Sequence, residues 1–134
     1  MSRFGYSDSI DSWEFIRWRG AVASAIRGKR GQRLLRDLVA ALDAMPEKRL
    51  ISDALVYDGD YCALGAVGTA RNIRMDHLDP DEVSEVAEAL DIAEALAAEI
   101  AFLNDYEPPW WRERENPEKR WARMRAWAEK HLAA

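Results

Sequence analysis

One helical stripe constrains this chain more than any other feature. Leu34, Leu35, Leu38, Val39, Leu42 and Met45 recur at helical spacing, and Pro46 follows at once. Proline cannot donate the next backbone hydrogen bond, so the helix must stop there. A helix with one apolar face needs other elements to cover that face. Most of the remaining sequence has the same period. Phe15, Trp18, Val22, Ala25 and Ile26 form a second stripe on a helix over 12–27, with Asp11 as N-cap and Glu14 three residues on. The basic turn Gly28-Lys29-Arg30-Gly31 joins the two, which predicts an antiparallel helical hairpin. Gly20 interrupts the first helix at a cost of about 1 kcal/mol relative to alanine. Either another helix crosses closely there or the helix bends.

One segment departs from this period. Leu55-Val56-Tyr57, Asp58-Gly59 and Asp60-Tyr61-Cys62 read as a short hairpin with a type I′ turn. Two strands alone are marginal, so the hairpin must lean on helices. Residues 64–72 are expected to be helical, with Gly65 and Gly68 allowing a close neighbour. Asp79-Pro80-Asp81-Glu82 opens a further helix with an acidic first turn that suits the helix dipole, and Val83, Val86, Ala87 and Leu90 face inward. Asp91 is read as the cap of a helix from Ile92 to Asn104. Asn116 and Pro117 start the last helix, whose buried stripe is Trp121, Met124, Ala128 and Leu132. The expectation is a mainly α fold: a compact bundle of about five helices with one small β-hairpin. It forms a single domain over 1–134, with an irregular N-terminus at 1–10 and a Trp/Pro-rich loop at 105–116.

Length supports one core, with roughly two thirds of the unfolded surface buried on folding. No apolar run approaches the length of a membrane span. The start, MSRFGYSDSIDSWEF, lacks the apolar core of a secretory signal. Cys62 is the one cysteine, which fits a reducing cytoplasm and a small core side chain.

The net charge of −5 conceals segregation. Residues 1–50 carry ten Lys/Arg against six Asp/Glu, residues 51–110 two against fourteen, and residues 111–134 seven against four. Either the acidic middle and basic ends neutralise each other within the fold, or they present faces of opposite sign to partners.

Catalytic patterns are missing from the sequence. His77 and His131 have no zinc-binding spacing, no nucleophile elbow or phosphate-binding loop occurs, and pairs such as Asp76/Asp79 and Asp58/Asp60 read as solvated carboxylates. No catalytic residue, metal or cofactor is expected. Three surfaces remain as binding candidates. The first is the acidic row Asp76, Asp79, Asp81, Glu82 and Glu85. The second is the aromatic loop Trp110, Trp111, Arg112 and Arg114, since Trp and Arg dominate interface hot spots and six of the residues in this chain are Trp. Its rings either fold back on the core or stay partly exposed. The third is the basic tip Arg27, Lys29, Arg30 and Arg33, suited to nucleic acid. There a helix–turn–helix reading is weak, because only Gln32 and Arg33 fit base-reading positions. Residues 83–100 mimic the same motif but are too acidic for phosphate contacts.

The segments WRGAVASAIRGKRGQ, ALDAMPEKRLI, CALGAVG, IAEALAAEIAF followed by ND, and NPEKRWARMRAW occur in that order over most of the chain. Together they resemble a family of small hypothetical proteins of tailed bacteriophages and prophages. Asp91 departs from that pattern, which leads one to expect glycine, and the Trp-rich loop is more aromatic. The resemblance carries no activity or ligand. It implies a bacterial cytoplasmic setting and a non-catalytic accessory role. In that role the protein binds a host protein or nucleoprotein complex, such as a CRISPR effector or the transcription or replication machinery, and inhibits or modulates it. The alternative is a nucleic-acid-binding accessory protein using the basic tip. A homo-oligomeric assembly component is a third expectation.

Overall fold

The leucine stripe becomes the centre of the molecule. In a computed structural model that describes residues 12–106, 108 and 112–133, Leu34, Leu35, Leu38 and Leu42 are all fully buried. Each such side chain contributes about 1.5–3 kcal/mol of hydrophobic stabilisation. The described residues form six α-helices and one two-stranded hairpin. These are α1 (Ser12–Arg27), α2 (Lys29–Ala44), β1 (Val56–Tyr57), β2 (Asp60–Tyr61), α3 (Ala63–Ala70), α4 (Val83–Leu90), α5 (Glu94–Asp105) and α6 (Pro117–Lys130), with a 3-10 turn at Met75–His77. The fold is mainly α, as the periodicity predicts. Around α2 gather α3 and α6, while α5 packs on α1, α3 and α4. Val67, Met75, Leu90, Leu96, Ile100 and Met124 complete the core.

Several helix ends have visible causes. Past Ala44 the Lys48 ammonium donates to the carbonyls of Asp43 and Met45 and lies 5.6 Å from the Trp121 ring centroid. That places a cation at the negative end of α2. Trp121 Nε1 donates to the Leu42 carbonyl at 3.1 Å. Cys62 is fully buried, and its sulfur accepts from the Gly65 N–H at the start of α3. Asn116 caps α6 through the Lys119 N–H at 2.8 Å.

The hairpin matches its expected turn. Val56 pairs with Tyr61 and Tyr57 with Asp60, while Asp58 (φ 51°) and Gly59 (φ 81°) both take positive φ, as a type I′ turn requires. It meets the helical body where β2 contacts α3 and β1 contacts the 3-10 turn, while Cys62 N–H to Leu55 O extends its ladder and Ile51 N–H to Tyr61 O ties it to the preceding loop. The two glycines of α3 do permit close approach. A Cβ on Gly65 would lie 1.9 Å from the Leu55 carbonyl oxygen, and one on Gly68 2.2 Å from Met75 Sδ.

Other expectations need correction. The connection between α1 and α2 is the single residue Gly28, because Lys29 already begins α2. A Cβ on Gly31 would meet the Ala25 carbonyl at 1.9 Å, so the first turn of α2 sits directly on the last turn of α1. Among the described residues no neighbour crosses at Gly20, where an added Cβ meets nothing within 4 Å. The inward stripe of α1 starts late: Val22 is buried, but Phe15 is 50% exposed, as are Trp13 and Ile16 at 73% and 59%. The N-cap expected at Asp11 lies outside the described residues. Helix α4 starts at Val83, after Asp79 has turned the chain by accepting the Asp81 N–H on its carboxylate.

Asp91 does not cap the helix that follows it. It ends α4 in the left-handed region (φ 55°, ψ 52°), with Ile92 N–H bonded back to Ala87 O, and α5 begins only at Glu94. This is the position after a helix where glycine is the usual residue, which accounts for the glycine expected there. Leu132 likewise lies beyond α6 and is half-buried.

Candidate functional site

The structure meets the neutralising reading of the charge pattern only in part. Basic residues of the first third do reach carboxylates of the middle: Arg19 to Glu99 at 2.6 Å, Arg30 to Asp91 at 3.2 Å, and Arg49 to Asp60 at 2.9 Å. In the opposite sense Asp37 pairs with Arg71 at 2.8 Å, and Asp43 with Arg125 at 2.5 Å. The Arg125 guanidinium holds the Asp43 carboxyl below the usual aspartate value, first through its hydrogen bond. Two groups of charge are left over, and they have opposite sign.

The acidic group lies along the 3-10 turn and the entry to α4. Asp76, Asp79, Asp81, Glu82 and Glu85 are all exposed, and Glu88 extends the row. Asp76 takes a hydrogen bond from Arg74 at 3.3 Å, which lowers its pKa. Asp79, Asp81, Glu82, Glu85 and Glu88 have no ion-pair partner among the described residues. Strand β1 touches the 3-10 turn, so exposed Tyr57 is carried on an element beside Asp76.

The basic group surrounds the α1–α2 junction. Arg27, Lys29, Arg30 and Arg33 are exposed, as is Arg36 further along α2. Of these five, Arg30 alone has an ion-pair partner among the described residues, and its bond to Asp91 joins two well exposed side chains. Such a pair is worth at most about 1 kcal/mol. Gln32, expected as a base-reading residue, has another task. Its Nε2 donates to the carbonyls of Ile26 (2.8 Å) and His131 (3.0 Å), and its Oε1 accepts the Ala133 N–H (2.8 Å). The amide is used up inside the fold, which removes half of the helix–turn–helix reading.

Of the aromatic loop, Trp110 and Trp111 lie outside the described residues, and Arg112 and Arg114 are exposed. No helix among the described residues is long and apolar enough to cross a membrane, and none of their His, Cys, Asp and Glu side chains cluster in threes as a metal site needs.

Sequence reasoning missed a buried polar node. Asn104 is fully buried; its Oδ1 accepts the Ala63 N–H at 3.0 Å and its Nδ2 donates to Ile51 O at 2.9 Å and to Asp105 at 3.0 Å. Arg120, 8% exposed, donates to the backbone oxygens of Asn104 (2.9 Å) and Leu50 (3.1 Å). Glu115 and Arg123 form a two-pronged pair at 2.7 and 2.8 Å just outside, and Arg123 holds the Glu115 carboxyl below the usual glutamate value. The arrangement joins α3, α5, α6 and the 50–51 segment. Every one of its groups has a structural partner, so it is architecture.

The class defined here is a mainly α protein with a small hairpin and a surface split by charge sign. No family model, curated protein or solved structure matches the chain.

Proposed function

We propose that this protein is a non-catalytic accessory protein, of the kind tailed bacteriophages encode, that binds a bacterial host protein or nucleoprotein complex and inhibits or modulates it. The binding face is the acidic row Asp76, Asp79, Asp81, Glu82 and Glu85, and it competes for a basic surface that normally takes nucleic acid. One observation carries this reading: those carboxylates stay exposed and, apart from Asp76, without an ion-pair partner among the described residues, in a fold that neutralises many of its other charges internally. Charge complementarity of this sort speeds association and rejects wrong partners.

The test is capture from a bacterial lysate, treated with nuclease, by the parent chain and by the variant Asp79→Lys/Asp81→Lys/Glu82→Lys. A host protein held by the parent and lost by the folded variant supports the reading. Equal capture by both sinks it.

A further inference from the structure

We propose that the junction of α1, α2 and α5 is a groove for the phosphate backbone of a nucleic acid. The groove has a volume of about 450 Å³. Its floor is made of small residues, among them Ala21, Ser24, Gly28 and Ala93, and Lys29 and Arg30 stand in its wall. Among the described residues no large apolar side chain lines it. A docking protein helix would find no pocket there for a leucine or aromatic anchor, whereas a phosphate needs only room and cations.

The cations continue outward from the groove. Lys29, Arg33 and Arg36 lie at helical spacing on one exposed side of α2. Seven residues of helix rise about 10 Å, and one strand of a duplex presents a phosphate about every 3.4 Å of axis. The ridge therefore spans about three phosphates. None of the three cations has an ion-pair partner among the described residues. The first turn of α2, whose N-cap Gly28 supplies no side-chain acceptor, adds partial positive charge at the same place.

Among the described residues three carboxylates oppose this field, and Asp37 beside Arg36 is already paired with Arg71 at 2.8 Å. Glu94 begins α5, and Asp91 holds Arg30 at 3.2 Å. An exposed pair joined by one contact at 3.2 Å is weak, and a phosphate can take the same guanidinium in a two-pronged, charge-assisted contact. Asp91 thus acts as a competitor that the ligand displaces.

The experiment is fluorescence anisotropy of a labelled mixed-sequence DNA duplex with the full chain. Three phosphate contacts along the ridge and one at Arg30, at about 0.9 counterions each, give a log–log salt slope near −3.6, about a 150-fold loss of affinity between about 50 and 200 mM salt. Lys29→Ala/Arg33→Ala/Arg36→Ala should cut the slope to about −0.9 and weaken binding beyond detection. Asp91→Asn should tighten binding by releasing Arg30, and Asp79→Asn/Asp81→Asn/Glu82→Gln should leave it unchanged. Parental affinity in the folded triple variant overturns the proposal. If that variant does not fold, Asp91→Asn decides: tighter binding supports the groove, and unchanged binding overturns it. Capture of polyglutamate, or of inorganic phosphate alone, with the duplex left unbound, also overturns it.

Discussion

Replacing Asn104 by leucine should cost this protein about 2–4 kcal/mol. The side chain joins the buried Ala63 N–H to the partly buried Ile51 carbonyl, at 3.0 and 2.9 Å. Leucine fills a similar volume but offers neither partner. An orphaned buried backbone group costs about 1–3 kcal/mol; the Ala63 amide belongs near the top of that range, and Ile51, nearer water, near the bottom. A chain of 134 residues has an unfolding entropy of about 0.28 kcal/mol/K, so the thermal midpoint should drop by about 7–14 °C. Urea denaturation followed by far-ultraviolet circular dichroism should give a lower midpoint with an unchanged slope. A drop below about 3 °C would refute the reasoning, because it would mean that water or a backbone shift satisfies both groups at little cost.

Two glycines predict opposite outcomes. Gly65→Ala should destabilise by about 3 kcal/mol or more, because its Cβ falls 1.9 Å from a backbone oxygen, while Gly20→Ala should stabilise by about 1 kcal/mol in open space; chemical denaturation of the pair checks both signs. Asp91→Gly should raise stability by about 0.5–1 kcal/mol by relieving the left-handed residue at the end of α4, less the weak bond to Arg30, and a lowered melting temperature would contradict it. Burial first, then Lys130, pushes the His131 pKa below its ordinary 6.5, and Arg123 holds Glu115 below 4.5. Both groups bind fewer protons folded than unfolded, so their contribution is complete above the unfolded values and is lost as pH falls through the folded ones. Melting temperature should fall from about pH 7 toward about pH 4, and His131→Gln should flatten the upper part of that fall; identical profiles for parent and variant would count against it.

What could be read in advance was local. The leucines of α2 announce their own face, Asp58-Gly59 announces its turn, and Gly65 and Gly68 announce neighbours without naming them. Asn104, Arg120 and Gln32 were illegible for a physical reason. Each is defined by which distant carbonyls arrive beside it, and no spacing in the chain encodes that. Asp91 reads in sequence as the start of a helix because an aspartate before an apolar run looks the same whether it starts the next helix or ends the last one. Backbone φ distinguishes the two: Asp91 takes φ 55°, and Ile92 after it is buried. Of the candidate site, the density of carboxylates from Asp76 to Glu88 was plain. That Lys29, Arg33 and Arg36 have no ion-pair partner among the described residues, while Arg19, Arg30 and Arg49 do, depends on which carboxylates the fold brings beside them.

The amide of Gln32 reaches backward to Ile26 and forward to His131 and Ala133. It is a buckle between the first bend of the chain and its last described residues. A tail that peels away from α2 takes with it two of the three bonds that set this side chain, and so loosens the wall on which Lys29 and Arg30 stand. The linkage runs both ways. A ligand that stiffens the α1–α2 bend should slow amide exchange at the far end of α6, although the ligand touches nothing there.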